Sequence, residues 1–154
     1  YLCQSPHKKL YAASARWYAE AFAAQPGLAD NPASGHRYNA ACAAALAGCG
    51  QGEDAMDLDE NHCAHLRRQA LDWLRADLKA WRSLLAKDQA KAQPVVAKQM
   101  QHWQVDPDFA GVRGMEALDK LPQAERMEWQ QLWQEVETLR HRAAAPPKKL
   151  APTK

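Results

Sequence analysis

Apolar residues recur every three or four positions along most of this chain, and no segment alternates apolar and polar residues with a period of two. The first spacing marks one face of an α-helix, and the second would mark a half-buried β-strand. Apolar residues make up 47% of the 154 residues. Alanine is abundant among them, whereas the β-branched and aromatic residues that favour strands are few. The sequence therefore predicts an all-α fold.

Proline and glycine divide this pattern into helices with short connections. The loop 105–122 is rich in both residues, and we expect one short helical turn in it, around Met115–Leu118. Residues 143–154 are rich in Ala, Pro and Lys, so we predict a helical domain over residues 1–142 and a flexible tail over residues 143–154. Longer helices are predicted between Pro6 and Pro26, between Pro32 and Gly48, from about Glu60 to Leu85, from Pro94 to Trp103, and from Pro122 to Arg142.

Charge and cysteine content narrow the classes of function. Lys and Arg total 20 against 18 for Asp and Glu, a net charge of +2, which gives no overall field for nucleic acid or an anionic membrane. No apolar run reaches the length of a transmembrane helix, and no signal peptide is apparent. The chain begins at Tyr1, so we expect it to be a piece of a longer protein. Reading the four cysteines as reduced thiols, we predict a cytoplasmic location.

The first helices match the spacing of a tetratricopeptide repeat, in which small residues occupy the contact between paired helices. Ser14, Tyr18 and Ala21 fit the second helix of one repeat, and Tyr38 with the following alanines fits the first helix of the next. The match is degenerate, since Asp77 stands where a small residue is usual. We predict consecutive antiparallel helix hairpins that form a degenerate tetratricopeptide-like solenoid with C-terminal capping helices.

Three segments carry a closer resemblance. They are GHRYNAAC at residues 35–42, RRQALDWLRADL at residues 67–78 and WQVDPDFAGVR at residues 103–113. Together they resemble the C-terminal tetratricopeptide region of planctomycete-type bacterial serine/threonine protein kinases. The resemblance runs from about Tyr11 to Leu139, and Gly114 departs from it, because the family commonly has Asp there. It implies the non-kinase end of such a protein, a region for sensing or docking.

The chain also contains fragments that look like kinase motifs, but they do not form a kinase site. Lys98 follows the supposed catalytic loop at His36-Arg37 instead of preceding it, and Tyr38 occupies the position of the catalytic Asp. No glycine-rich loop precedes these fragments, and a fold without strands cannot arrange them around ATP. We therefore predict no enzymatic activity for this fragment.

Two further clusters of polar residues could bind a metal or act in acid-base chemistry, and each also has a structural interpretation. Cysteine and histidine ligands for zinc are present, but they lack paired Cys-x-x-Cys spacing, so we predict no metal and no cofactor. Asp106, Asp108 and Arg113 frame a Pro-Gly loop and are expected to order it by turn caps and charge-assisted hydrogen bonds. The zinc alternative involves Cys42, Cys49, His62, Cys63 and His65.

The function expected from these patterns is a module that binds a protein or peptide partner. Arginine and aromatic residues dominate binding hot spots, although a row of arginines is also typical of a solvated helix face, and most of the six tryptophans are expected in the core. An alternative is a structural extension that packs on its own kinase domain or self-associates; a metal-binding or hydrolytic domain is a third reading. The residues predicted to contact the partner are Arg37, Arg67, Arg68, Arg75, Trp17 and Tyr18.

Overall fold

The computed structural model describes residues 9–145, and every regular element in that range is helical. This confirms the all-α prediction for the described residues, none of which forms a strand. The 3₁₀ turns Pro32–Ser34 and Pro107–Val112 lie in the connections. The α-helices are α1 Tyr11–Ala24, α2 Gly27–Asp30, α3 His36–Gly48, α4 Glu60–Lys87, α5 Gln89–Val105, α6 Met115–Leu118 and α7 Gln123–Ala144.

The long helices pack against their neighbours in the sequence, with alternating directions. Helix α3 lies between α1 and α4; its first turn contacts α4 at Asp77, whereas its last residue contacts α4 at Arg67. These two contacts make α3 and α4 antiparallel. Helix α7 runs antiparallel to α5 and parallel to α4. Consecutive hairpins are thus present, and the finer arrangement of a tetratricopeptide-like solenoid stays a prediction.

Helix α3 is buried on nearly every side by small residues. From Ala40 to Gly48 every side chain except that of Leu46 is buried, and six of these residues are alanines. Helices α1 and α4 and the turn Pro107–Val112 pack around it. A Cβ at Gly48 would lie 2.6 Å from Cγ and 2.8 Å from the backbone nitrogen of Arg67. From the sequence we predicted that one helix would pack closely on the alanine face of α3. In the structure, neighbouring elements surround most of the helix.

Large side chains fill the contact between α5 and α7. Trp103 and Met100 of α5 and Trp129, Leu132 and Val136 of α7 are all completely or almost completely buried. They belong to the same hydrophobic cluster as the α3 alanines. The core therefore changes along the chain from backbone-to-backbone proximity at α3 to interlocking side chains at α7.

Aspartates outside the helices cap three of the helix starts. Asp59 accepts a hydrogen bond from the amide of His62 at the start of α4, and Asp88 accepts one from the amide of Lys91 at the start of α5. Helix α5 therefore begins at Gln89, and the predicted start at Pro94 is wrong, because Asp88 alone separates α4 from α5. Asp54 caps α1 from the loop after α3: its carboxylate accepts hydrogen bonds from the amides of Ala12 and Ala13 at 3.2 and 2.8 Å.

The last helix extends beyond the predicted domain boundary. Helix α7 continues to Ala144, and Ala143 is buried, so the ordered helix includes two residues assigned to the tail. The remainder of that predicted tail, residues 146–154, lies outside the described residues, as does Pro6. The prediction of a continuous helix from Pro6 is wrong at Lys9 and Leu10, which are not helical, and α1 begins at Tyr11. The φ of Lys9 is +37°, which a right-handed helix cannot accommodate. None of the helices between residues 9 and 145 has the length and apolar character needed to cross a membrane.

Candidate functional site

The arginine row of α4 faces a glutamate row on α7. Arg68 and Arg75 both donate to Glu128, with nitrogen-oxygen distances of 2.5 and 2.9 Å, and Arg82 donates to Glu135 at 2.8 Å. Both rows repeat every seven residues, and we call this set the α4–α7 ladder. The side chains of the ladder are partly exposed. The ladder therefore lies on the surface that was predicted to contact a partner, but its guanidinium groups already form ion pairs within the chain.

Arg67 is inside the fold, although the sequence placed it in the candidate partner surface. Its side chain is only 4% exposed and bonds to the carbonyl of Gly48 at 2.8 Å. It also donates to Glu60 and to both carboxylate oxygens of Glu125. Arg67 therefore joins the end of α3 to the starts of α4 and α7, and we no longer include it among the residues that contact a partner.

Arg37 is bound to a buried carboxylate. Its Nη1 lies 3.1 Å from Oδ1 of Asp77, whose side chain is 1% exposed. The second oxygen of Asp77 has no hydrogen-bond partner among the described residues. Burial raises the pKa of Asp77 to about 6, and the charge of Arg37 opposes that rise. The pair links α3 to α4, at the position where the repeat pattern expected a small residue.

The two aromatic residues predicted at the partner surface have different environments. Trp17 is 53% exposed on the outer face of α1. Tyr18 is half-buried and lies 5.8 Å from the ring of Phe22, which in turn packs edge-on against Trp73 of α4. Of the candidate residues, Trp17 is the large apolar side chain with the greatest exposed fraction, and Tyr18 supports the packing of α1.

A groove of about 580 Å³ runs between α1 and α4, and we call it the α1–α4 groove. Its wall on α1 consists of alanines and Arg16, and its other wall is formed by α4 and the end of the preceding loop. This groove was not predicted from the sequence, because its two walls are far apart along the chain. The lining residues are Ala12, Ala13, Arg16, Ala19, Asp54, Leu58, His62, His65, Leu66 and Gln69.

A polar cluster around Tyr38 orders the loop after α5. The hydroxyl of Tyr38 donates to Oδ2 of Asp106 at 2.5 Å, while Oδ1 of Asp106 accepts from the amide of Asp108 at 3.0 Å. Arg113 donates to the backbone carbonyls of Trp103 and Asp106 at 3.0 and 2.8 Å. The loop is ordered as the sequence predicted, except that Arg113 binds main-chain oxygens and neither Asp side chain.

The cysteines of the described residues are free thiols in the fold. Cys49 and Cys63 line a cavity of about 730 Å³ between α3, α4 and the segment that contains α6, and burial raises the pKa of Cys49 to about 11. Within residues 9–145, the potential ligand atoms that lie within 4.8 Å of one another are those of Cys42, Asp106 and Asp108. Cys49 and His65, which belong to the zinc alternative considered above, do not lie in such a group among those residues.

The carboxylate of Asp106 and the thiol of Cys42 in this last cluster have structural explanations. Asp106 is held by Tyr38 and by the turn that follows it. Burial, followed by the charges of Asp106 and Asp108, raises the pKa of the Cys42 thiol, so the thiol stays protonated next to the carboxylates. The cluster thus forms part of the packing between α3 and the loop after α5.

In comparisons with known proteins, no family model, no curated protein and no solved structure matches the chain. The exposed face of α1 around Trp17 and the α1–α4 groove lie apart from the α4–α7 ladder and from the ion pairs of Arg37 and Arg67. Two features escaped the sequence analysis. They are the cap that Asp54 forms on α1 and the glutamate partners of the arginine row. Both were missed because the interacting residues are more than 40 positions apart in the sequence.

Proposed function

We propose that this chain is a non-catalytic docking or regulatory module that binds a protein or peptide partner, as part of a larger serine/threonine kinase. The assignment to a kinase rests on the resemblance of residues 35–42, 67–78 and 103–113. Binding is supported by the helical stack, which is the kind of scaffold that presents extended surfaces to peptides.

The observation that carries the proposal is the exposure of Trp17. Trp81, Trp103 and Trp129 are buried, and Trp73 and Trp133 pack against the core, whereas Trp17 is 53% exposed. An exposed tryptophan leaves a large apolar surface in water, and burial of such a side chain in a partner's pocket is a frequent source of binding energy. We therefore assign the partner anchor to Trp17 and remove Arg67 from it.

Photo-crosslinking tests this assignment. A photoreactive amino acid at exposed Ala24, two turns from Trp17 on the same face of α1, is compared with one at exposed Met127 on α7. In cells of the source organism we expect a discrete crosslinked protein from position 24 only, and we expect Trp17→Ala to abolish it. Equal crosslinking at both positions, no crosslink at position 24, or a product that survives Trp17→Ala would contradict the proposal.

The same exposed tryptophan supports a second candidate function, a structural extension that packs on its own kinase domain or self-associates. The mass of the crosslinked product separates the two candidates, because a second copy of the chain or the attached kinase domain would identify the extension. Sedimentation velocity provides the matched measurement. For self-association, we expect the purified chain to form a concentration-dependent dimer that Trp17→Ala converts to a monomer.

A further inference from the structure

The α1–α4 groove has the form of a seat for one more helix. Helices α1 and α4 are both antiparallel to α3, so they run parallel to each other, with α3 packed between them. The groove is open to the surface, and near one end of it Phe22 of α1 meets Trp73 of α4 at a centroid distance of 5.8 Å. From Ala12 to Ala19 it extends ~10 Å along α1, at 1.5 Å per residue.

The walls of the groove are apolar and shallow. Ala12, Ala13 and Ala19 form the α1 side, and Leu58 and Leu66 form the opposite side. All five residues are only partly exposed, so a ligand must enter the concavity to cover them. Because the alanine side chains are short, the backbone of an incoming helix can come close to α1, as α3 does on its other side. The shape favours a helix with one apolar stripe.

The rim of the groove carries one cationic side chain, Arg16. The Arg16 side chain is 67% exposed, and its contact with Glu20, at 3.9 Å, is long. The His62 side chain is 69% exposed, but its Nδ1 lies 2.9 Å from Oδ1 of Asp59. His65 is exposed as well. The acidic residue of the groove, Asp54, already accepts two hydrogen bonds from the amides that start α1. A ligand therefore meets the guanidinium of Arg16 and the imidazole of His65, while His62 and Asp54 already have partners within the chain.

We infer that the α1–α4 groove binds an amphipathic helix of a partner protein, with an apolar stripe against the alanines and leucines and with Asp or Glu residues on the flank that faces Arg16. This inference rests on the proposed docking function and names a surface and a partner chemistry for it. A carboxylate on the flank forms a charge-assisted hydrogen bond with the guanidinium of Arg16. An antiparallel orientation to α1 and α4 places the C-terminal end of the ligand helix near their N-termini, where the helix dipoles attract.

The test uses the full chain and a fluorescein-labelled, hydrocarbon-stapled peptide of about 14 residues, or ~21 Å of helix. The peptide carries Leu at helical i, i+3, i+4 and i+7 positions and Glu on one flank. A second peptide replaces every Glu by Lys, and a third scrambles the sequence. Fluorescence anisotropy measures the Kd of each peptide for the wild-type chain, for Arg16→Glu and for Ala19→Phe. Lys98→Glu, an exposed charge reversal on α5, is the matched control.

We expect the Glu peptide to bind the wild-type chain and Lys98→Glu equally, and to bind Arg16→Glu about fivefold more weakly, the scale of one exposed ion pair. The Lys peptide should recover affinity for Arg16→Glu, and Ala19→Phe, which fills the groove, should bind neither peptide. Circular dichroism verifies that each variant is folded. Equal Kd values for the Glu, Lys and scrambled peptides, no binding at all, or an equal loss in Lys98→Glu would overturn the inference.

The two experiments distinguish rejection of the groove as a binding site from rejection of the proposed docking function. If crosslinking at position 24 depends on Trp17 and the peptides do not bind, the module docks a partner through Trp17 alone. If the peptides bind as expected and no crosslink forms at position 24, the groove is a binding site and the assignment of the anchor to Trp17 is wrong.

Discussion

The two ends of this fold are packed in opposite ways. Around α3 the core is made of alanine and glycine, and neighbouring helices approach until their backbones nearly touch. Between α5 and α7 the core is made of tryptophan, leucine, methionine and valine, whose side chains hold the helices apart and fill the space between them. We refer to these parts as the small-residue region and the large-residue region. They belong to one continuous hydrophobic cluster, so the difference lies in packing and not in separate domains.

This contrast shows that burial alone does not determine what a substitution costs. In the large-residue region, removal of atoms leaves a cavity and the loss of many contacts. In the small-residue region there is little to remove, and the addition of atoms forces helices apart. The two regions should therefore respond in opposite senses to a change in side-chain size.

The largest effect is expected for Trp129→Ala in the large-residue region. Trp129 is completely buried between α5 and α7, so the truncation should lower the free energy of unfolding by about 3–5 kcal/mol, as measured by urea denaturation. Trp129→Phe is the matched control. The Trp129 Nε1 has no hydrogen-bond partner among the described residues, so Phe should restore most of the loss. A loss as large in Trp129→Phe as in Trp129→Ala would refute the packing explanation.

A smaller effect, of opposite origin, is expected for Ala44→Leu in the small-residue region. Ala44 is completely buried in α3, and the added carbon atoms should lower the free energy of unfolding by about 2–3 kcal/mol. Ala23→Leu on the exposed face of α1 should change stability by less than about 0.5 kcal/mol. Ala44→Gly is informative as well, because its cost should reflect helix propensity, about 1 kcal/mol. A stabilising Ala44→Leu would show that this region contains usable space.

The smallest effect concerns the carboxylate of Asp77, which faces α3 in the small-residue region. Burial raises the pKa of Asp77 from 3.8 to about 6, with Arg37 opposing the rise. The folded protein therefore binds a proton near pH 6, whereas the unfolded chain does so near pH 3.8. Protonation of Asp77 therefore stabilises the fold. This stabilisation is complete below pH 3.8 and is lost as pH rises through 6.

Asp77→Asn isolates this contribution from those of the surface glutamates. Relative to the Asn variant, the wild-type chain should gain about 2 kcal/mol of unfolding free energy between pH 7.5 and pH 4.5. Urea denaturation at half-unit pH intervals measures the difference, and Glu116→Gln on exposed α6 is the control. A wild-type curve parallel to that of Asp77→Asn would show that Asp77 titrates normally in the fold.

Much of this fold could be predicted from the sequence, because local signals define the helices. Repeating apolar positions located the long helices, and the short turn at Met115–Leu118 was predicted at the position where α6 occurs. Helix α5 shows the limit of such signals. Pro94 is a strong local start signal, but the capping of Lys91 by Asp88 starts the helix five residues earlier. A one-residue junction between two helices leaves no composition change to detect.

The candidate site was less predictable, because it depends on contacts between distant segments. The arginines of α4 have the spacing of a surface row, and nothing within α4 shows that Glu128 and Glu135 lie opposite them. Likewise, the alanines of α1 give no indication that Leu66 faces them across a groove. Trp17 was named among the residues predicted to contact a partner, and its side chain is 53% exposed. Its contact with a partner stays a prediction.

The α4–α7 ladder has a consequence for the axial register of the last helix. Apolar side chains tolerate small sliding movements of one helix along another, but ion pairs repeated every seven residues are lost when one row is displaced by half a repeat. A slip of one turn, about 5.4 Å, would move Glu128 away from Arg75 and Glu135 away from Arg82. Each exposed pair adds little stability by itself. Together they oppose a one-turn slip of α7, which would also move Trp129 from its place in the core.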